Sequence, residues 1–129
     1  MMTEAPRILL ADDEETFRLS TARLLEQEGY RCDCAQDSQE AGRLLTSQYD
    51  VLITDIRMPG NMQFEFLRDV RSRFPSLPIV LVTGYPSVQT AVEALRLSFT
   101  DYLLKPADWP DLLHAVGEAV KKTGVLRMT

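Results

Sequence analysis

Residues 51–55 have the sequence VLITD, in which a strand-forming run leads directly into an aspartate. The run does not alternate between apolar and polar residues, and such unbroken runs are typical of parallel strands covered by helices on both faces. ILLA at 8–11 and IVLV at 79–82 are two more runs of this kind. Weaker strand patterns at 30–35 and 102–104 complete a predicted sheet of five strands.

Amphipathic stretches with helical spacing separate the predicted strands. The first runs from Phe17 to Gln27 and stops at Gly29. Ser38 is predicted to cap the second helix and Asp108 the fifth. The apolar residues expected to form the inner faces of the helices are Phe17, Leu24 and Leu25; Ala41, Leu44 and Leu45; Phe64, Leu67, Val70 and Phe74; Val88, Ala91, Val92 and Leu95; and Leu112, Leu113, Val116 and Val120. This order predicts five βα units, an α/β fold with helices on both faces of a five-stranded parallel sheet.

Length and composition predict one soluble domain. Of the 129 residues, 45% are apolar and 26% charged, and a chain of this size buries a core without disulfides. The net charge of −5 argues against direct binding to nucleic acid, and no stretch resembles a signal peptide or a membrane span. We therefore expect a cytoplasmic protein. The domain is expected to occupy residues 1–123, with 124–129 a tail or the beginning of a linker to a further domain.

The two cysteines do not predict a disulfide or a zinc site. Cys32 and Cys34 lie two positions apart on a predicted strand, so their side chains share a face without being placed to pair. His114 is the single histidine, and two thiols with one imidazole do not complete a zinc site. We interpret Cys32 and Cys34 as small thiols in a reducing compartment.

Reactive side chains follow the predicted strands. Asp12 and Asp13 come after the first strand, Asp55 after the third, Thr83 at the end of the fourth and Lys105 after the fifth. In a parallel sheet these strand ends meet at one edge, which is where such sheets bind ligands. Three adjacent carboxylates repel one another unless a cation joins them, and all-oxygen ligands suit Mg²⁺ or Mn²⁺. With a lysine and a hydroxyl opposite, this arrangement predicts phosphoryl transfer, in which a carboxylate can be the nucleophile.

Four motifs in this order resemble the receiver domains of two-component response regulators. They are ADDE at 11–14, DIRMPG at 55–60, TG at 83–84 and DYLLKP at 101–106. The resemblance extends from about residue 7 to residue 121. It implies the flavodoxin-like, or CheY-like, (βα)5 fold.

The resemblance also implies the phosphoacceptor and its metal ligands. Asp55 matches the aspartate that accepts the phosphoryl group and contacts the ion. Asp13 matches the direct metal ligand of the acidic pair, and Asp12 matches its partner. The backbone carbonyl of Arg57 matches a further ligand of the Mg²⁺ ion.

The remaining matches concern the phosphate and the response to it. Lys105 matches the lysine that pairs with phosphate, and Thr83 matches the hydroxyl that moves to it. Tyr102 matches the aromatic residue that changes rotamer on activation, and Gly84 a position kept small.

The family implies the partners as well. The donor would be a phosphohistidine on a sensor histidine kinase or a phosphotransfer protein, or a small donor such as acetyl phosphate. The output would pass to an effector domain or partner, with a phosphorylation-dependent dimer as a further possibility. No turnover of a separate substrate is expected.

Two departures and two alternatives stay open. Met62-Gln63 replace an Asp-Gly step that follows the phosphoacceptor loop, and Ser98-Phe99 replace a Gly-Ala step before the fifth strand. They keep open a pseudo-receiver, which has the same fold without phosphorylation. An aspartate-nucleophile phosphatase is disfavoured, because that class carries a second acid where this chain has Arg57.

Overall fold

The computed structural model describes residues 5–56 and 63–128, and strands and helices alternate along them. The elements are β1 (Arg7–Ala11), α1 (Glu15–Gln27), β2 (Arg31–Ala35), α2 (Ser38–Leu44), β3 (Val51–Thr54), α3 (Gln63–Arg73), β4 (Ile79–Thr83), α4 (Val88–Arg96), β5 (Asp101–Leu104) and α5 (Trp109–Met128). The five predicted βα units are therefore confirmed.

The sheet is parallel throughout, with strand order β2-β1-β3-β4-β5. The unbroken apolar runs form the three central strands, which are buried from Ile8 onward in β1 and over their whole length in β3 and β4. The weaker patterns form the edge strands β2 and β5, which are partly exposed. The chain passes from β1 to β2 on one side and then crosses back to β3 on the other side of β1. Ligands bind at such a switch point in open α/β sheets.

Successive residues of the central strands point to opposite faces and build two main cores. Ile8 and Leu10 pack with α1 and α5, whereas Leu9 packs with α2 and α3. A smaller cluster joins Leu67 of α3 to Leu81 of β4. Helices on both faces therefore cover the sheet, as predicted. Within the described residues, no helix is long and apolar enough to cross a membrane.

The N-cap of α2 differs from the prediction. Asp37, rather than Ser38, has the extended backbone of a cap, and its carboxylate accepts a hydrogen bond from Glu40 N at 2.7 Å. Ser38 is the first helical residue and is buried. Aspartate and serine cap about equally well, so their order along the chain could not decide between them. Leu44 at the end of α2 is exposed, and Leu45 takes the inward position.

The apolar face of α4 is turned outward, contrary to prediction. Val88 and Leu95 are each 82% exposed, and Ala91 and Val92 are also exposed. The inward face carries Thr90, Glu93 and Ala94. Glu93 of this inward face pairs with Arg68 of α3, a contact that favours this orientation. The Thr90 side chain meets the N-cap Ser87 of the same helix.

A second arginine of α3, Arg71, forms hydrogen bonds at the C-terminal end of α4. Arg71 Nε donates to Leu97 O, just after α4, at 2.8 Å. Its Nη1 donates to Leu77 O at 2.7 Å and to Phe74 O and Pro75 O at 3.1 Å. One side chain thus joins the end of α3, the loop before β4 and the end of α4.

Candidate functional site

Adjacent strands bring the predicted acids together. The pairing of β1 with β3 sets Ala11 opposite Thr54, so Asp12 and Asp55 leave the sheet side by side. Both carboxylates are buried, whereas Asp13 is exposed. One carboxylate oxygen from each of the three lies within 4.8 Å of the others. The carboxyl edge of the sheet therefore carries a compact cluster of acids.

Lys105 closes this cluster from β5. Its backbone N–H donates to Thr83 O at 2.8 Å, which fixes the lysine beside the end of β4. Its ammonium lies 2.8 Å from Asp12 Oδ2 and 2.9 Å from Asp55 Oδ2, and Glu14 Oε1 is 3.6 Å away. Burial disfavours the ammonium, but the hydrogen bonds to Asp12 and Asp55 outweigh it, so the pKa of Lys105 is raised. The lysine is a fixed positive charge inside an acidic site.

Burial and two hydrogen-bonding neighbours act in opposite directions on the carboxyl group of Asp12. Burial raises its pKa, while the Lys105 ammonium and a hydrogen bond from Glu14 N, at 2.9 Å, oppose that rise. Burial still prevails, so the carboxylate form of Asp12 is short of positive partners. A cation at this edge would relieve that shortage.

The Asp55 carboxylate is held at both oxygens. Oδ1 accepts from Ile56 N at 2.6 Å, and Oδ2 accepts from Lys105 Nζ. The Asp55 backbone N–H continues the ladder by donating to Ala11 O at 3.2 Å. Its carboxylate is therefore oriented by both its own strand and β5.

Thr83 and Tyr102 lie on the same face of the sheet. Leu81 pairs with Tyr102, and Thr83 follows Leu81 by two positions. Thr83 is buried, and its Oγ1 accepts from Tyr85 N at 3.1 Å. Tyr102 is half-buried in the cluster that also contains Phe99, so that departure from the family pattern lies beside the predicted switch residue.

Of the two remaining predicted positions, Gly84 lies within the described residues and Arg57 does not. A Cβ at Gly84 would meet only Lys105 Cβ at 3.8 Å, an ordinary contact, so this conformation does not demand a glycine. Arg57, with its predicted carbonyl ligand, and Met62 lie outside the described residues.

The first turn of α1 contributes three contacts that the motifs did not predict. Glu14 approaches Lys105, and Arg18 Nη1 donates to Asp12 O at 2.8 Å. The Phe17 ring centroid lies 4.6 Å from Lys105 Nζ. Glu14, Phe17 and Arg18 closely follow Asp12 and Asp13 in the sequence. This position could have indicated the contacts, because a helix that begins there directs part of its first turn towards the site.

His114 and Trp109 take no part in the cluster. His114 is exposed on α5, and Trp109 packs against the α1–α5 core. Trp109 is therefore a packing residue.

Comparison with known proteins identifies the family. Residues 8–117 match the response regulator receiver domain, and the chain belongs to that family. It is thus a receiver domain of the two-component signalling class.

Three relatives illustrate the likeness. The regulatory protein AtoC of Escherichia coli is 40% identical over 123 residues, which are 93% of this chain and 26% of AtoC. The signal receiver domain of an HD domain-containing protein from Pseudomonas fluorescens superposes with a TM-score of 0.90 at 28% identity, covering 99% of this chain and 96% of that one. The response regulator TrrA of Thermotoga maritima was solved in complex with Mg²⁺–BeF. It superposes with a TM-score of 0.78 at 29% identity, covering 88% of this chain and 98% of TrrA. This chain therefore spans about a quarter of the length of AtoC.

Proposed function

We propose that Asp55 accepts a phosphoryl group from a phosphohistidine of a sensor histidine kinase or a phosphotransfer protein. One observation carries the proposal: the buried Asp55 carboxylate pairs with the Lys105 ammonium and belongs to one cluster with the acids Asp12 and Asp13. A buried acid is costly unless it is paired, and this one is paired at the sheet edge where ligands bind. A constitutive pseudo-receiver would not need the complete set.

The donor set fits a hard divalent cation. Asp12, Asp13 and Asp55 would hold Mg²⁺, with the Arg57 carbonyl added by family resemblance, and the ion would neutralise charge as the phosphoryl group is transferred. TrrA, solved in complex with Mg²⁺–BeF, supports this choice.

Asp55, Lys105 and Thr83 would have different roles in the phosphoryl transfer. An Asp55 carboxylate oxygen attacks phosphorus, the bond from phosphorus to the donor imidazole breaks, and that imidazole takes up a proton as it leaves. Lys105 changes partner from carboxylate to phosphate, and the Thr83 hydroxyl donates to a second phosphate oxygen. The product is an acyl phosphate that water later hydrolyses, so no separate substrate turns over.

We infer that the output leaves through α4, β5 and α5. Thr83 and Tyr102 link the phosphate to this face, and phosphorylation shifts a pre-existing equilibrium of the domain. The greater length of AtoC, of which this chain covers 26%, supports an effector domain beyond residue 129, joined by a linker from residue 124. We also propose a cytoplasmic location. A phosphorylation-dependent dimer is part of the same proposal.

Acetyl phosphate with Mg²⁺ tests the chemistry. Intact mass should show one added phosphoryl group, which hydroxylamine removes, and Asp55→Asn should abolish it. Asp50→Asn is the matched control, because Asp50 is a buried acid that accepts from Arg7 N and lies just before β3, at the other end of that strand from Asp55. Stoichiometric labelling that persists in Asp55→Asn would move the acceptor elsewhere. A folded wild-type protein that takes no label would favour the pseudo-receiver.

A further inference from the structure

The aromatic ring of Phe17 faces the ammonium group of Lys105 across the site. Nζ lies 4.6 Å from the ring centroid, inside the roughly 6 Å range of a cation–π contact. Phe17 is partly buried and packs against the α1–α5 core, so the ring has a firm support. The ammonium thus has two buried carboxylates as partners and an aromatic face as another.

These partners differ in what happens to them during the proposed reaction. A metal ion would draw on the negative charge of Asp12 and Asp55, and phosphorylation would turn the Asp55 carboxylate into an acyl phosphate. Both events weaken the two carboxylate ion pairs of Lys105 before the phosphate takes their place as its partner. The Phe17 ring binds no metal ion and changes no bond, so its attraction for the ammonium persists through each step.

Lysine also needs such support more than arginine would. Its ammonium is a compact charge on a flexible four-carbon chain, with no planar fork to fix its direction. Once its ion pairs weaken, the side chain gains freedom to leave the site, and restoring its position costs rotamer entropy.

We propose that Phe17 is a positioning residue that holds the Lys105 ammonium at the phosphoryl site through the face of its ring. The inference rests on the proposed phosphorylation of Asp55 and assigns a role in it to α1. A purely structural role predicts that only the size and shape of the ring matter. A cation–π role predicts that the electron density of the ring matters at constant shape.

Fluorinated phenylalanines separate these two roles. Successive fluorines on the ring deplete its negative face and change its size little. With one, two and three fluorines at residue 17 of the 129-residue chain, the rate constant for labelling by acetyl phosphate at saturating Mg²⁺ should fall stepwise. The total fall should be about five- to tenfold, the size expected of a partly desolvated cation–π contact. The melting temperature should change little across the series.

Phe74 provides the matched control. Its ring meets the Arg73 guanidinium at 5.1 Å, a similar contact at the end of α3 and away from the acid cluster. The same fluorinated series at residue 74 should leave the labelling rate unchanged. If both series leave the rate unchanged while the wild type is labelled, the inference is wrong and the proposed function stands. A wild type that takes no label overturns both.

Discussion

At the scale of single residues, Lys105 compensates charges that would otherwise repel one another. It is 2.8 Å from Asp12 and 2.9 Å from Asp55, and all three side chains are largely removed from water. Taking one partner from a buried ion pair leaves the other charge uncompensated, which costs more than the pair itself contributes. The lysine therefore stabilises the resting site as well as serving the proposed reaction.

The variant Lys105→Met should be less stable than wild type by about 3 kcal/mol or more. Millimolar Mg²⁺ should recover more stability in this variant than in wild type, because a bound cation replaces the missing charge. Urea unfolding with and without Mg²⁺ measures both effects. Lys121→Met is the control, since Lys121 is exposed and pairs with Glu118 at 3.4 Å, so its loss should cost no more than about 0.5 kcal/mol. An equal Mg²⁺ effect in wild type and Lys105→Met would contradict this account.

Tyr49 is expected to make the stability of the protein depend on pH in the alkaline range. Burial, and a hydrogen bond from its hydroxyl to Asp33 Oδ2 at 2.7 Å, raise the pKa of Tyr49 to about 12. Both favour the neutral phenol, so this contribution to stability is complete below the unfolded pKa, about 10, and is lost as pH rises towards 12.

An ultraviolet difference titration of wild type minus Tyr49→Phe should therefore show a phenol that ionises near pH 12. Asp33→Asn should bring that transition down towards 10, because the amide is a weaker acceptor and carries no charge. A difference titration centred at 10 in the wild type would exclude the shift.

At the scale of elements, α4 is the helix whose surface departs from the usual pattern. Its apolar stripe faces water, and Glu93 of its inner face pairs with Arg68 of α3. Exposed apolar residues contribute little to stability, whereas buried ones contribute several kcal/mol.

Replacing Leu95 with serine should change the free energy of unfolding by no more than about 0.5 kcal/mol. Leu67→Ala, at a fully buried position of α3, should cost about 2–5 kcal/mol. Chemical denaturation of both variants checks the contrast. Equal costs would mean that the stripe of α4 is packed inside the protein.

The same helix illustrates what sequence patterns could and could not predict. The runs at β1, β3 and β4 predicted central strands because burial on both faces leaves no room for polar residues. The period of α4 identified its apolar face, but the direction in which that face points depends on Arg68, 25 positions earlier. The acids and Lys105 could be predicted because strand ends meet at one edge. Phe17 could not, because its contact depends on how α1 packs.

At the scale of the whole molecule, the proposed switch must redistribute two conformations. To move from about 1% to about 99% active requires roughly 5.5 kcal/mol of differential stabilisation. A charge-assisted hydrogen bond from Thr83 supplies about 1.5–3 kcal/mol. Thr83 must also give up its resting contact with Tyr85 N. Lys105 and the burial of the Tyr102 ring would have to supply the remainder.

Thr83→Ala should therefore still accept a phosphoryl group at Asp55 but convert only partly to the active conformation. Beryllofluoride loading, followed by amide NMR shifts near Tyr102 and along residues 107–120, measures the conversion. Thr21→Ala is the control, a buried threonine on α1. Unchanged shifts in loaded wild type would rule out the rotamer switch and direct attention to residues 58–63.

The Arg71 contacts have a mechanical consequence for that switch. They bind the carbonyl just after α4 to the end of α3, so this end of the helix is pinned. The opposite end begins at Val88, five residues beyond Thr83, and carries a side-chain cap from Ser87. A helix fixed at one end reorients by swinging about that end, so its other end is displaced furthest. If the proposed switch moves Thr83, the swing of α4 would therefore be largest at Val88, where the exposed apolar stripe begins.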